Sequence, residues 1–421
     1  MTSIDNDARA PYLVRIDFLI ELARRLHIYG TSAQRLEAAV SQVAQRLDIE
    51  AQIWSNPTGM LISFADVERG APHQITQIIR LEPGDTNLGR LAAADAIAED
   101  VLSGKLDIAE GLRAMRALDR PPRVYAKPLA VFSFGLASAS VTGLLQHTGW
   151  ADLCTAAILG VLVGALTVYS ETRPRLRDAH EALAAFIVTL AAGAVSSFIA
   201  PLSLQGVIVA ALIVLMPGLT LTNAVSELTS QQLVSGTARF AGALTILLKL
   251  TFGAVAGAHV VGLLGWQALS NADATALPNW VPWLTLLAGS FAFAVLFKAA
   301  RRDVLLVMAS VWLGYLATKL AATLPGADNN TVPTGVFFAS MVVTAVSNAY
   351  GRYWNRPGAL IRVPGIILLV PGSLGFRSFN FVFERDVMLG LDTAFGVITA
   401  LIALVAGILF GSLLISPRRN L

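Results

Sequence analysis

The sequence predicts a polytopic α-helical membrane protein, with ten transmembrane helices as two inverted five-helix repeats, preceded by a small cytoplasmic α+β domain. Three observations lead there. The 421 residues are 55% hydrophobic and 14% charged, with a mean hydropathy of +0.63, too apolar for a soluble protein of this size. Most of the Asp and Glu precede residue 123, and beyond it apolar runs of about 20 residues succeed one another, each long enough for a ~30 Å hydrocarbon core. The runs also repeat. Pro217-Gly218 and Pro371-Gly372 lie 154 residues apart, and the same offset superposes Pro128 on Pro282, Gly135 on Gly289, Gly160 on Gly314, Gly236 on Gly390 and Gly253 on Gly407. With only 34 glycines in the chain, such a run of matches at one shift marks an internal duplication.

In order along the chain, residues 1–122 form the expected cytoplasmic domain. Leu13, Ile16, Ile20, Ala23 and Leu26 fall at helical spacing over 12–29, and Gly30 stops that helix. A second helix is expected to open on a Thr31/Gln34 capping box, with Leu36, Val40, Val43 and Leu47 as its buried stripe. The period then changes to the alternation of strands at 51–54 and 60–64, joined by turn residues 55–59, with a third strand at 74–81. Helices at 88–103 and 108–118, the second capped by Asp107 with Glu110, close the domain at Pro121-Pro122.

Two membrane repeats follow, 123–270 and 271–421. Their spans are expected at 128–146, 151–170, 182–200, 206–225 and 238–266, then 280–297, 304–324, 332–350, 363–383 and 394–415; the fifth is long enough to extend beyond the core. Arg and Lys alternate sides: Lys127, Arg173, Arg175, Arg177, Lys298, Arg301, Arg302, Arg352, Arg356, Arg362, Arg418 and Arg419 fall on the side of the N-terminal domain, while the opposite loops hold little beyond Arg377 and Arg385. By the positive-inside rule both termini are cytoplasmic. Five spans per copy is an odd number, so the second copy enters the bilayer inverted.

The Pro-Gly pairs are the first candidate site. Proline removes a helix hydrogen bond and glycine lets the backbone bend, so spans four and nine break there. Pro217 lies about 16 Å into its span, near the midplane. A lone pair of this kind is a packing kink as readily as a site; two at matching positions of inverted copies point to a transport site. Pro217, Gly218, Thr220, Thr222, Asn223, Pro371, Gly372 and Ser373 are therefore the expected substrate-binding residues, although the hydroxyl and amide groups could equally satisfy freed backbone groups. Lys249 joins them as a partner for a substrate carboxylate, or else as a lysine paired with a backbone carbonyl. Glu227, at the cytoplasmic mouth, and His259 are candidate coupling groups, against a solvated acid and a hydrogen-bonded interfacial histidine. Gly253/Gly257 and Gly407/Gly411 read as close helix packing.

Other classes fare worse. The net charge of +3 reflects basic loops, and no nucleic-acid partner is expected. Cys154 stands alone, so an intrachain disulfide is excluded, as is a cysteine-rich metal site. The polar, acidic start lacks the apolar core of a cleavable signal peptide. No nucleophile elbow, HExxH, CxxC or P-loop is present, so neither an enzyme nor a cofactor is expected. His27, Asn56, Thr58, His73 and Asp85 are what a membrane-anchored hydrolase would have to recruit.

The runs Tyr29-Gly30-Thr31-Ser32-Ala33-Gln34-Arg35-Leu36-Glu37, Asn56-Pro57-Thr58-Gly59 and Thr86-Asn87-Leu88-Gly89-Arg90-Leu91 resemble the N-terminal domain of the threonine/serine exporter family. The Leu215-Met216-Pro217-Gly218 and Leu369-Val370-Pro371-Gly372 segments look like its two membrane halves. Where family members often carry Arg-Asp after the first Pro-Gly, this chain has Ser226-Glu227, keeping the acid and losing the base. The resemblance implies a secondary exporter of threonine and serine in the bacterial inner membrane. Two-subunit relatives linked to dicarboxylate export add succinate as the alternative. The expected partners are that small molecule and the lipid bilayer, and a homo-oligomer is compatible with either substrate.

Overall fold

The computed structural model describes residues 12–66, 75–119, 126–145, 148–269, 277–323 and 333–417. The Pro121-Pro122 boundary, His73, Arg418 and Arg419 lie outside the described residues. Helix α1 (Tyr12–Ile28) buries Ile16, Ile20, Ala23 and Leu26 of its predicted stripe, while Leu13, in its first turn, is exposed. It stops at Gly30, whose φ of +81° is costly for any side chain; a Cβ there would sit 2.9 Å from the Thr86 amide nitrogen. Helix α2 (Ala33–Arg46) buries Leu36, Val40 and Val43.

The start of α2 departs from expectation. Ser32 is the N-cap and makes no side-chain cap, so the Thr31/Gln34 capping box does not form. Instead, the Ala33 amide donates to the Glu227 carboxylate, 194 residues away, at 2.9 Å. A tertiary acceptor replaces the local one, satisfying an N-terminal amide that would otherwise be orphaned in a buried place.

Strands β1 (Ile49–Asn56), β2 (Gly59–Asp66) and β3 (Ile75–Arg80) form an antiparallel meander in that order. Ile53 faces Ile62, Met60 faces Ile79, and Asn56 faces Gly59, leaving Pro57-Thr58 as a two-residue link. Both strands of the hairpin are longer than the alternation at 51–54 and 60–64 indicated, because pairing continues through the polar ends. Helices α3 (Leu88–Leu102) and α4 (Ile108–Ala117) are capped by Asn87 and Asp107, whose side chains accept from the Arg90 and Ala109 amides. The core of this unit, around Phe18, Leu22 and Phe64, continues without a gap into Phe293, Phe297 and Leu360 of the helical bundle.

That bundle comprises α5 (Ala126–Leu144), α6 (Trp150–Ser170), α7 (Pro174–Phe198), α8 (Leu204–Leu212), α9 (Gly218–Thr229) and α10 (Leu233–Leu263). It continues with α11 (Val281–Leu296), α12 (Val304–Ala321), α13 (Thr334–Trp354), α14 (Ala359–Ile366), α15 (Gly372–Phe383) and α16 (Val387–Leu414). Among the described residues five helices are long and apolar enough to cross a membrane: α6, α7, α10, α12 with its preceding turn, and α16. A sixth is added if the α8–α9 pair, bent by 61°, is one broken span. The protein is thus a multi-pass helical membrane protein.

The 154-residue offset persists in the elements. Helices α6 and α12 begin at 150 and 304, α9 and α15 cover 218–229 and 372–383, and α10 and α16 begin at 233 and 387. The glycine pairs are packing surfaces, as predicted. A Cβ on Gly257 would lie 2.9 Å from the Phe186 carbonyl oxygen, and one on Gly411 would lie 2.5 Å from that of Met341, so α10 rests on α7 and α16 on α13 at backbone contact.

Candidate functional site

Both Pro-Gly pairs break their helices in the same way. A short 3-10 turn at 213–215 ends α8, then Pro217 adopts φ −80°, ψ 43° and the Gly218 amide donates back to the Met216 carbonyl at 2.8 Å. In the second copy Pro371 has φ −82°, ψ 39°, and the Gly372 amide donates to the Val370 carbonyl at 2.9 Å. Each break is an inverse γ-turn centred on a proline, which has no amide to lose and whose fixed φ suits that turn. Leu221 and Gly375 amides then donate to the Pro217 and Pro371 carbonyls, opening the next helices.

The two breaks touch. A Cβ built on Gly372 would stand 3.2 Å from the Gly218 Cα and 3.4 Å from the Met216 Cβ, and one on Gly218 would collide with the Val370 side chain. The two backbones meet here closely: a side chain at 218 would have to displace Val370, and one at 372 fits only if its neighbours give by a few tenths of an ångström. Since Gly218 and Gly372 open their helices, the first-turn amides of residues 219–220 in α9 and 373–374 in α15 have no acceptor within the helix and lie next to this junction.

A cavity of about 1430 Å³ lies over the junction, lined by residues 213–216 of one copy and 367–370 of the other, the same positions at the 154-residue offset. Pro217, Gly218, Thr220, Asn223, Gly372 and Ser373 face it; Pro371 is buried behind the wall, and Thr222 is buried with its hydroxyl donating to the Gly218 carbonyl at 3.2 Å. Six of the nine expected substrate-binding residues thus line one cavity. The break segments are neutral. The charges, Asp85 and Arg90 from the N-terminal unit and Lys127, Glu171, Arg239, Lys298 and Arg301 from the bundle, all lie outside the two break segments.

The remaining candidates sit elsewhere. Lys249 donates to the Asp178 carbonyl at 2.9 Å and lies 3.5 Å from the Glu181 carboxylate. Neighbouring Gly253 packs on Ala182, so Lys249 is level with the first turns of α7, as a lysine paired with a backbone carbonyl. His259 is on the exposed outer surface of α10, away from the cavity.

Glu227 is fully buried, not a solvated acid at an exit. Besides the Ala33 amide it accepts from the Ser235 hydroxyl at 2.8 Å and the Arg239 Nε at 3.1 Å. Arg239 from α10 is thus the basic partner of Glu227, where position 226 carries serine. Alongside, Glu37 accepts from the Ser55 amide and the Gln232 side chain, both at 2.7 Å, and burial raises its pKa. These contacts clamp α2 and β1 onto α9 and α10.

A second seam joins the N-terminal unit to the other copy. The Leu88 and Gly89 amides donate to the Phe297 and Lys298 carbonyls at 2.9 and 3.1 Å, and a Cβ on Gly89 would come within 2.7 Å of the latter oxygen. Of the groups considered for hydrolysis, His27 is buried with Nε2 3.2 Å from the Glu82 carbonyl, and burial, then the charge of Arg239, lowers its pKa. Asn56 and Thr58 bond each other across the hairpin turn. Among the described residues no cluster of three His, Cys, Asp or Glu side chains could hold a metal ion.

Two family models, both described as threonine/serine exporter, match residues 17–261 and 283–414. The chain belongs to the threonine/serine exporter family. The first match ends within α10 and the second begins within α11. Similar curated proteins are fungal. An uncharacterized protein of Schizosaccharomyces pombe is 25% identical over 394 residues, 91% of this chain and 45% of the relative. Pheromone-regulated membrane protein 10 of Candida albicans is 26% identical over 396 residues, covering 91% and 34%, and that of Saccharomyces cerevisiae 25% over 399 residues, covering 91% and 51%. The chain spans about half the length of these relatives, or less. No solved structure matches it. Family membership explains the quoted motifs physically: Tyr29-Gly30 and Thr86 to Gly89 are one seam, with the Asn87 amide donating to the Tyr29 carbonyl at 3.3 Å.

Proposed function

We propose that this transporter-family chain is a secondary exporter of small polar metabolites, threonine and serine first, using the proton gradient. The observation that carries the reading is the contact of two matched helix breaks at the floor of one cavity. Half-helix amides, Thr220, Asn223 and Ser373 offer a zwitterion both donors and acceptors without a fixed net charge, and substrate would bind between the copies.

The same reading supplies the architecture. Ten spans, the six above with α5, α11, α13 and the broken α14–α15 pair, make two inverted five-helix repeats, 123–270 and 271–421, behind a soluble domain, 1–122. Opposite polarity is supported by the ends of the broken helices. From the junction α9 runs to Glu227, against Ala33, whereas α15 runs to the start of α16, and the far end of α16 lies beside Asn348, whose side chain donates to the Ile415 carbonyl. With basic loops inside, both termini would be cytoplasmic, in the bacterial inner membrane. Rocking of one repeat against the other would expose the junction to each side in turn.

A dicarboxylate such as succinate is the second reading, favoured by the excess of cations over acids around the cavity. Lys249, engaged with α7, no longer supports it. Efflux of labelled threonine, serine and succinate from preloaded proteoliposomes, with and without an imposed pH gradient, separates the readings. Threonine and serine efflux accelerated by the gradient is expected; succinate alone would favour the second reading, and no movement of any would overturn both.

A further inference from the structure

The N-terminal unit does more than dock on the bundle: its loop 84–90 is part of the cavity wall. Gly84, Asp85, Thr86, Asn87, Gly89 and Arg90 all line the same cavity as the helix breaks. The cavity's volume of about 1430 Å³ exceeds the roughly 300–1,000 Å³ of an ordinary single small-molecule pocket, leaving room for a station besides the one at the breaks.

The loop is held far more firmly than a linker needs. A Cβ on Gly84 would overlap the His27 carbonyl, and Gly30 leaves no room for one beside Thr86. Asn87 caps Arg90 through its side chain at 3.1 Å, and Leu88 and Gly89 are pinned to Phe297 and Lys298. The Arg90 guanidinium lies over the Tyr29 ring, 5.9 Å from its centroid. Such constraint fixes the positions of Asp85 on the loop and, through the Gly89 bond, of the Lys298 segment.

The charges there are uneven in their commitments. Lys127 pairs with Glu171 at 3.6 Å and Arg239 with Glu227. Asp85, Lys298 and Arg301 line the cavity and have no ion-pair partner among the described residues. An acid from the loop and two bases from the segment bonded to it, lining the same cavity as the breaks, complement a molecule carrying an ammonium and a carboxylate.

We propose that loop 84–90 forms an entry station for α-amino acid zwitterions, in which Asp85 receives the ammonium and Lys298 with Arg301 receive the carboxylate before substrate reaches the breaks. This rests on the transport reading above. The N-terminal unit is then a substrate-selecting component of the pathway.

The test uses the full chain with Cys154→Ser, which removes the one native thiol, an exposed one. Thr86→Cys reports on the entry station and Ser373→Cys on the breaks, each labelled with a small maleimide in detergent. Threonine is expected to slow labelling at both. Adding Asp85→Asn should raise the threonine concentration for half-protection at Thr86→Cys by about tenfold or more, the loss of a hydrogen bond to a charged group. It should leave protection by 3-hydroxybutyrate, which lacks the ammonium, within about twofold. Protection at Ser373→Cys with undiminished labelling at Thr86→Cys overturns the entry station and leaves the transport reading standing. An equal loss for both ligands overturns the role of Asp85 as the ammonium partner. Protection at neither position overturns both readings.

Discussion

At the scale of single residues, Glu227 shows how position changes a side chain's meaning. In the sequence it is an acid after a broken helix; in the fold its two oxygens serve three donors from α2 and α10, with no exposed surface. Replacing it by glutamine leaves the Arg239 guanidinium, whose side chain is 15% exposed, without its counter-charge. Breaking a buried pair by removing one partner costs about 3 kcal/mol, so Glu227→Gln should lower the thermal midpoint clearly. Glu227→Gln with Arg239→Met should recover part of that loss in a double-mutant cycle. His27 gives a pH signature. Its imidazole is pushed below the ordinary 6.5, so the unfolded chain binds more protons, and stability falls as pH drops below about that value. Glu37, with its pKa raised above 4.5, acts with the opposite sign, losing stability as pH climbs through its window. The contribution of His27 is therefore read by difference: between about pH 5 and 8 the thermal midpoint of His27→Gln should depend less on pH than that of the parent chain. An unchanged pH profile would contradict the assignment.

Among elements, the helix breaks were the most legible feature of the sequence, because proline and glycine act locally and their effect survives any packing. The direct contact of Gly218 with Gly372 was not legible, since it depends on how two copies dock. The capping box at Thr31 failed for the converse reason. A local acceptor was available, but a buried carboxylate from α9 reached the Ala33 amide instead. Of the two readings of Lys249 the backbone-carbonyl one holds, and its partner on α7 was not legible because helix docking, not the sequence of α10, selects it. Healing a break should separate stability from transport. Pro371→Ala restores an amide and a helix former, so the fold should lose no more than about 1 kcal/mol, the unfolded-chain entropy that proline removes, while efflux falls by about tenfold or more. Efflux at the parental rate would mean that the second break is only a kink. Gly89→Ala places a Cβ 2.7 Å from the Lys298 carbonyl oxygen; the seam must open, and limited proteolysis of the N-terminal unit should speed up. An unchanged cleavage rate would mean that this seam does not hold the unit in place.

For the molecule as a whole, the 154-residue offset foretold matched elements, and these are present from α6/α12 through α10/α16. What composition could not convey is that the N-terminal unit shares a core with the bundle and lines part of the cavity, because such a seam is built from backbone amides and glycines that carry no hydropathy signal. Asp85, Arg90, Arg239, Lys298 and Arg301 were missed as a group for the same reason: each lies in a different element, and only the docked fold brings them to one cavity. The central claim is that movement at the junction of the two breaks carries substrate. The ideal Cβ of residue 372 lies 3.4 Å from that of Met216, close to the roughly 3.5–4.5 Å of a disulfide. Efflux of threonine from proteoliposomes should therefore be measured for Met216→Cys with Gly372→Cys in the Cys154→Ser chain, oxidised and then reduced. The expected result is that oxidation stops efflux and reduction restores it; undiminished efflux through a fully cross-linked protein would contradict the claim.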